Sequence, residues 1–248
     1  MPDRPVASAV IAAAGSGARL GAGGPKAFAS LLGRPLIEWS LGAFAQSETV
    51  GLVIVALPPG ASAELGGGAV AVPGGASRSE SVALALQRVE TELVAVHDAA
   101  RPLVTPELID ELVARLASRP DAQGVIAAAA LTDTVKRARE ARPGKGDFPR
   151  GGPTVAQTVS RDHLWAAQTP QVFRTAALRN ALDDDPQRIA AATDDAMLVE
   201  KAGGKVLVHP APAENLKITT PLDLRIAELL LADRELTSDR RTADTGGE

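Results

Sequence analysis

Ala12-Ala13-Ala14-Gly15-Ser16-Gly17-Ala18-Arg19-Leu20-Gly21, followed closely by Pro25-Lys26, is the stretch on which the reading of this chain turns. It follows an apolar, β-branched run at residues 6–12, so it begins where a first buried strand ends. In open α/β sheets that edge is where ligands bind. Gly15 and Gly17 let the backbone take positive φ and come close to a ligand, so successive N–H groups can converge on phosphate oxygens. Arg19 and Lys26 add two fixed cations suited to a polyphosphate. A dinucleotide fingerprint would need glycine where Leu20 stands and would leave Arg19 in the pyrophosphate site; a P-loop would need Gly-Lys-Ser/Thr, which is absent. The plain alternative is a strand-to-helix turn with two solvated charges. Glycines alone do not decide between the two, but Gly-x-Gly-x-Arg with a following Pro-Lys favours the phosphate loop.

Outward from this loop, short apolar runs alternate with longer amphipathic ones. Strands are expected at residues 6–12, 50–57, 69–72, 93–97, 124–129, 205–209 and 215–218. Helices are expected at 35–46, 78–90, 106–118, 175–182, 194–202 and 221–231. Thr105 before Pro106, with Leu108, Ile109 and Leu112 on one face, carries a start signal, as does Thr220 before Pro221, followed by Leu222, Ile226 and Leu229. The alternation predicts an α/β fold: a Rossmann-like, mostly parallel twisted sheet with helices on both faces. One domain over residues 1–232 is expected. Residues 132–160 break the pattern as strand, Pro/Gly-rich loop and strand, with 133–138 and 154–160 able to pair as a protruding β-arm. A bare two-stranded ribbon is marginal in water, so it is expected to dock, most simply on a second subunit. Residues 233–248 are polar and charged without apolar periodicity and are expected to be disordered.

Composition narrows the chemistry. The chain has 248 residues, no cysteine and a formal net charge of −4. Disulfides, thiolate metal sites and cysteine nucleophiles are excluded, and a cytoplasmic protein is expected. The negative balance offers no reason to expect nucleic acid or a membrane surface as partner. Arg4 and the run at 6–14 look superficially like a secretory signal, but Asp3 cancels the charge and the run is alanine-rich, so it is read as the first strand.

Three further segments point to the same sheet edge. His97-Asp98-Ala99-Ala100-Arg101-Pro102 ends the fourth strand, and an aspartate there suits Mg²⁺ bridging nucleotide phosphates, although a turn-forming aspartate salt-bridged to the arginine is the alternative. Gly74-Gly75-Ala76-Ser77-Arg78-Ser79-Glu80-Ser81-Val82 follows a strand and opens a helix; it could read a base edge, or Ser77 could simply cap the helix. Lys217, in Glu214-Asn215-Leu216-Lys217-Ile218-Thr219, is out of place in a buried strand unless its ammonium reaches a cleft or snorkels to solvent.

Together with Asp133-Thr134-Val135-Lys136, Thr158-Val159-Ser160-Arg161, Leu164-Trp165, Gln168-Thr169-Pro170-Gln171 and Thr193-Asp194-Asp195, these segments resemble the 2-C-methyl-D-erythritol 4-phosphate cytidylyltransferases over about residues 6–231. The resemblance implies transfer of CMP from CTP to a polyol phosphate with release of pyrophosphate, assisted by Mg²⁺ or another divalent cation. It implies that Arg19 and Lys26 stabilise the transition state at the α-phosphorus. It places Ala13, Ala14, Gly15, Gly17, Gly75, Ser81, Asp98 and Ala99 on the nucleotide, with Asp98 also at the metal. It places Arg101, Thr134, Arg161, Thr169 and Lys217 on the acceptor, with Thr134 and Arg161 reaching the neighbour's site across a homodimer. The sequence departs from the family pattern at Ala12 (usually Pro), at Ser160 (commonly Asp) and in a longer arm tip over 139–153. A ribitol 5-phosphate cytidylyltransferase and a catalytically silent nucleotide-binding regulator are the competing readings; Arg19, Lys26, Asp98 and Lys217 argue against the second.

Overall fold

The computed structural model describes residues 6–15, 25–58, 60–61, 64–139 and 153–245. In chain order the elements are β1 (Ala7–Ala12), a short 3-10 turn (Lys26–Phe28), β2 (Ser30–Leu31), β3 (Arg34–Pro35), α1 (Leu36–Gln46), β4 (Val50–Leu57), β5 (Val70–Pro73) and α2 (Arg78–Leu86). There follow β6 (Leu93–Asp98), α3 (Pro106–Ala117), β7 (Gly124–Ala130), β8 (Val135–Arg139), β9 (Thr154–Val159) and β10 (Trp165–Arg174). The chain continues with α4 (Thr175–Leu182), α5 (Pro186–Ala190), α6 (Asp195–Lys201), β11 (Val206–Pro210) and α7 (Pro221–Thr245).

Seven strands form one sheet in the order β11-β7-β10-β6-β1-β4-β5. Every pairing is parallel except those of β10, which runs antiparallel to both β6 and β7. The near-continuous apolar strands make sense because helices cover both faces. Ile11, Val53, Val55 and Ala95 bury on the side of α1 and α3, against Ile37, Phe44, Ile109 and Leu112. Their neighbours Val10, Ile54, Val94 and Val96 bury on the other side, against Val82 of α2, Leu178 of α4 and Leu198 of α6. The mostly parallel, doubly covered sheet expected from the alternation is present.

Thr105 caps α3 as expected, its side chain accepting from the Leu108 N–H, with Pro106 in the first turn. Asp110, on the same helix, stitches α3 to the turn between α1 and β4. Its carboxylate accepts from Ser47 Oγ at 2.6 Å, Thr49 Oγ1 at 2.6 Å and the Glu48 and Thr49 N–H groups at 3.2 and 3.1 Å. Partial burial alone would raise its pKa, but these donors lower it overall. A folded-state pKa below the unfolded one contributes stability above the unfolded pKa, and that contribution is lost as pH falls through the carboxylate range. Asp110→Ala is therefore expected to cost about 1–3 kcal/mol at neutral pH. In denaturant titrations the gap between variant and wild type closes as the solution is acidified; a gap independent of pH would contradict this account.

Three expectations are corrected. The strand at 165–174 is not foreseen, because Gln168-Thr169-Pro170-Gln171 interrupts its apolar pattern; pairing with β7 resumes only at Gln171, after a register shift. Phe173 is accommodated there because residue 124 is glycine: a Cβ would stand 2.6 Å from its ring. Residues 215–218 form no strand; a backbone bond from the Ile218 N–H to the Ala100 carbonyl at 2.8 Å helps dock this irregular stretch beside the end of β6. Helix α7 continues to Thr245, through most of the tail expected to be disordered. Its Ala/Leu/Arg/Glu-rich sequence has enough intrinsic helix preference to continue without an apolar stripe. Among the described side chains of α7 the buried ones are Ala227 and Leu231, whereas Leu222 and Leu229 stand 64% and 68% exposed. The expected arm exists as β8 paired with β9 in a two-stranded sheet of its own, and its tip lies outside the described residues.

Candidate active site

In the sheet order β1 has β6 on one side and β4 on the other, so the strand order reverses at β1. A crevice opens at the carboxyl ends of strands at such a switch point. Here it is a cleft of about 490 Å³, lined by Ala13, Ala14, Gly15, Lys26, Gly75, Ser81, Asp98, Ala99 and Lys217 among others. Nine of the expected site residues thus meet in one place, from four separate stretches of chain. Arg19 and Gly17 lie outside the described residues.

Local backbone bonding explains the placement. Beyond β1 the Ala13 N–H donates to the Ala56 carbonyl, and the Ala99 N–H donates to that of Ala12, which fixes the floor of the cleft. Lys26 donates its N–H to the Gly15 carbonyl at 3.1 Å, which ties residue 26 to the end of β1 and holds the lysine in the cleft lining. On the opposite wall the Gly74 N–H reaches the Leu57 carbonyl at 2.7 Å, and a Cβ on Gly74 would meet that oxygen at 2.7 Å. Ser81, expected to assist base reading, uses its hydroxyl to shape that wall: it accepts from the Gly75 N–H and donates to the Ser77 carbonyl. Ser77 also caps α2, so both readings of this segment describe part of it.

The charges are arranged asymmetrically. Lys26, Arg78 and Lys217 line the cleft against the single carboxylate of Asp98. Asp98 Oδ1 accepts from Arg78 Nε at 2.9 Å, and Oδ2 accepts from Lys217 Nζ at 2.7 Å. Burial alone would raise the Asp98 pKa, but the two cations outweigh it and hold the carboxyl well below the usual range. Lys217 therefore reaches the cleft. Arg78 also donates from Nη1 to Asp195 Oδ2 at 2.7 Å. Desolvation disfavours its charge, yet Asp195 and Asp98 together raise its pKa. Sequence reasoning assigned no charge role to Arg78 or Asp195. The available signal was the charge of both residues within segments already singled out, but their pairing spans 117 positions.

Other expected residues stand behind or away from the cleft. Thr169 is buried behind Asp98: its Oγ1 accepts the Asp98 N–H at 3.0 Å and lies 3.1 Å from His97 Nδ1. His97 Nε2 lies 3.1 Å from the Arg101 carbonyl, which can only accept, so the proton sits on Nε2 and Nδ1 accepts from Thr169. Burial pushes the His97 pKa down to about 4 despite the nearby Asp98 charge, so the ring is neutral at physiological pH. Arg101 spends its guanidinium on the Asn215 carbonyl at 2.8 Å and the Ala167 carbonyl at 3.4 Å, bracing the stretch that carries Lys217. Thr134 and Arg161 are exposed, beside β8 and just after β9, and are not among the residues lining the cleft of their own chain. Among the described residues no helix is long and apolar enough to cross a membrane.

A cleft of this shape and charge suits a nucleoside triphosphate. The family model for 2-C-methyl-D-erythritol 4-phosphate cytidylyltransferase matches residues 7–233. The 2-C-methyl-D-erythritol 4-phosphate cytidylyltransferase of Streptomyces avermitilis is 42% identical over 243 residues, spanning 92% of this chain and 93% of the relative. That of Azoarcus sp. is 40% identical over 91% of this chain and 94% of the relative. Among solved structures, the enzyme of that name from Thermus thermophilus superposes with a TM-score of 0.71 at 35% identity, covering 91% of this chain and 98% of the other. The one from Francisella tularensis gives 0.72 at 28% identity, covering 90% and 98%. The switch-point cleft, its clustered cations and matches along nearly the whole chain agree: this chain belongs to the 2-C-methyl-D-erythritol 4-phosphate cytidylyltransferase family.

Proposed function

We infer that this protein transfers CMP from CTP to 2-C-methyl-D-erythritol 4-phosphate, giving 4-diphosphocytidyl-2-C-methyl-D-erythritol and pyrophosphate. It is a cytidylyltransferase of isoprenoid precursor biosynthesis. The observation that carries the reading is the cationic cleft at the switch point, lined by Lys26, Arg78 and Lys217, in a chain whose relatives of that name match along almost their full length.

The chemistry follows from charge. A phosphate oxygen of the acceptor forms a bond to the α-phosphorus of CTP as the bond to the β-phosphate bridging oxygen breaks, and pyrophosphate departs with that electron pair. Nucleophile and triphosphate are both anions, so catalysis consists mainly of positioning and neutralisation. Lys26 and Arg19 neutralise charge at the α-phosphorus. The wall from Gly74 to Ser81 and the strand end at Ala13 and Ala14 hold the base and ribose. No general base is required, which fits the buried, neutral His97.

Magnesium fits this site as an ion carried in on the phosphates. Mg²⁺ keeps several waters and takes only one or two protein carboxylates beside substrate oxygens. Asp98 offers one carboxylate at the cleft, and among the described residues no cluster of three or more His, Cys, Asp or Glu forms a cage. When bound, the ion would neutralise the phosphates further. Asp98 would hold it only by sharing an oxygen now taken by Arg78 or Lys217.

The acceptor site is shared between two copies of the chain. β8 and β9 form a ribbon with mostly exposed side chains, and Val155 on it is 65% exposed, as expected of an arm that docks on a neighbour. Thr134 and Arg161 then serve the partner's cleft, while Lys217 serves its own. Thr169 and Arg101 act behind the cleft, through Asp98 and the stretch carrying Lys217.

The test is pyrophosphate release with CTP and a panel of polyol phosphates. We expect kcat/KM with 2-C-methyl-D-erythritol 4-phosphate to exceed that with ribitol 5-phosphate by at least about tenfold, because a site built for the substrate's hydroxyls leaves polar groups unpaired with the wrong acceptor. A preference for ribitol 5-phosphate would overturn the assignment.

A further inference from the structure

Asp195 is a costly residue to keep. It is 0% exposed, and its Oδ1 has no hydrogen-bond partner among the described residues. Burial raises its pKa, with the Arg78 guanidinium opposing that effect. A buried carboxylate paired on one oxygen only is commonly less stabilising than an uncharged residue of similar size. Its position is nonetheless tightly made. Asp194 caps α6 by accepting from the Met197 N–H at 2.9 Å, Gln171 Nε2 donates to Asp194 Oδ2 at 2.9 Å, and the Ala196 N–H donates to Gln171 Oε1. Asp195 thus starts α6 with fixed backbone neighbours on both sides. Among the described residues its side chain pairs with Arg78, whose other bond goes to Asp98 in the cleft.

We propose that Asp195 and Arg78 are positioning residues for the transfer reaction: Asp195 anchors the Arg78 guanidinium, and Arg78 in turn fixes the rotation of the Asp98 carboxylate. The inference rests on the reading above that Asp98 serves the CTP-bound cation. A carboxylate with one oxygen held by Arg78 Nε and the other facing Lys217 Nζ cannot swing freely. Arg78 is suited to the task because a planar guanidinium engages two carboxylates in a fixed fork, whereas lysine presents a point charge. Arg78 is itself shared between two acids, so its charge is largely spoken for before the nucleotide arrives. Arg78 is thus the brace between α2, β6 and α6.

Asp195→Asn separates this role from a structural one. The variant keeps the shape and an acceptor for Arg78 but removes the buried charge. We expect its Tm to stay within about 3 °C of wild type or to rise, since Arg78 keeps Asp98 as a charged partner and the asparagine oxygen as an acceptor, and no charge is left unpaired. We expect kcat to fall by at least about tenfold with KM for the polyol phosphate within about threefold, the signature of lost transition-state positioning. Calorimetric binding provides a readout separate from turnover. Wild type is expected to bind Mg²⁺·CTP more tightly than metal-free CTP, and Asp195→Asn is expected to shrink that ratio while leaving metal-free binding nearly unchanged. Arg78→Lys, which retains one charge but not the fork, is expected to be impaired in kcat with little change in Tm. A folded Asp195→Asn with wild-type kcat and an unchanged binding ratio overturns the proposal. So does a loss of activity accounted for entirely by a lower folded fraction. If wild type itself neither binds CTP nor releases pyrophosphate, the failure lies in the underlying functional reading.

Discussion

Replacing Lys26 with alanine lowers kcat by about 10²-fold or more, with only a modest change in KM for CTP. The expectation follows from where charge develops. In the ground state the triphosphate's negative charge is met by the cleft's other basic groups; as the acceptor oxygen closes on the α-phosphorus, further charge accumulates there. The backbone of Lys26 is anchored by its own N–H bond to the Gly15 carbonyl, so its side chain starts from a fixed point in the cleft lining. A cation placed by the backbone pays for its ordering during folding, before substrate binds, and its benefit appears mainly in the transition state. Arg19→Ala is expected to behave similarly. Steady-state kinetics with CTP and 2-C-methyl-D-erythritol 4-phosphate decide the matter: unchanged kcat with raised KM would make Lys26 a ground-state binding residue only.

The second large effect is a recovery of activity. Lys26→Ala and Arg161→Ala are each expected to be nearly inactive alone, and mixing them under conditions of subunit exchange is expected to restore turnover. Arg161 is exposed just after β9, and it is not among the residues lining its own chain's cleft. A guanidinium can grip a phosphate dianion with two parallel hydrogen bonds, and a bound phosphate left without such a partner would be held poorly. If the arm crosses to the neighbour, a mixed dimer contains one site with Lys26 and Arg161 both intact, drawn from different chains. Random mixing makes half the dimers mixed and each has one good site of two, so activity should approach about a quarter of wild type in a two-fold symmetric assembly. Exchange demonstrated by mass spectrometry without recovery, or full activity in a protein shown to be monomeric, would refute the shared site.

How much of this was legible in the sequence differs from element to element. Local signals sufficed where the physics is local. The buried parallel strands β1, β4 and β6 announce themselves as near-continuous apolar runs, and Thr105-Pro106 announces the start of α3, because burial on both faces and capping depend on neighbours a few positions away. The Gly-rich loop, the aspartate ending β6 and the Ser77 cap of α2 were legible for the same reason, and the cleft indeed gathers Gly15, Lys26, Gly75, Asp98 and Lys217.

Only the tertiary structure decided what depends on long-range placement. β10 hides in the sequence because Gln168-Thr169-Pro170-Gln171 breaks its pattern, yet it occupies a central position where β6 and β7 supply its hydrogen-bond partners. Lys217 sits on an irregular stretch rather than in a strand, and it is brought to Asp98 with the help of the Arg101 guanidinium, which braces the Asn215 carbonyl from more than a hundred residues away. Helical periodicity showed that α7 has apolar residues but not which of them are buried, since that choice belongs to the surface it meets, and the surface took Ala227 and Leu231 and left Leu229 exposed. The link from Asp195 through Arg78 to Asp98 was beyond sequence reasoning for the same reason: its partners come from α6, α2 and β6. Composition and spacing determined that this chain builds a doubly covered sheet with a glycine-lined cleft at one edge. Packing determined which charges face one another there, because electrostatic partners are set by distances in space, and the chain's order does not encode those distances.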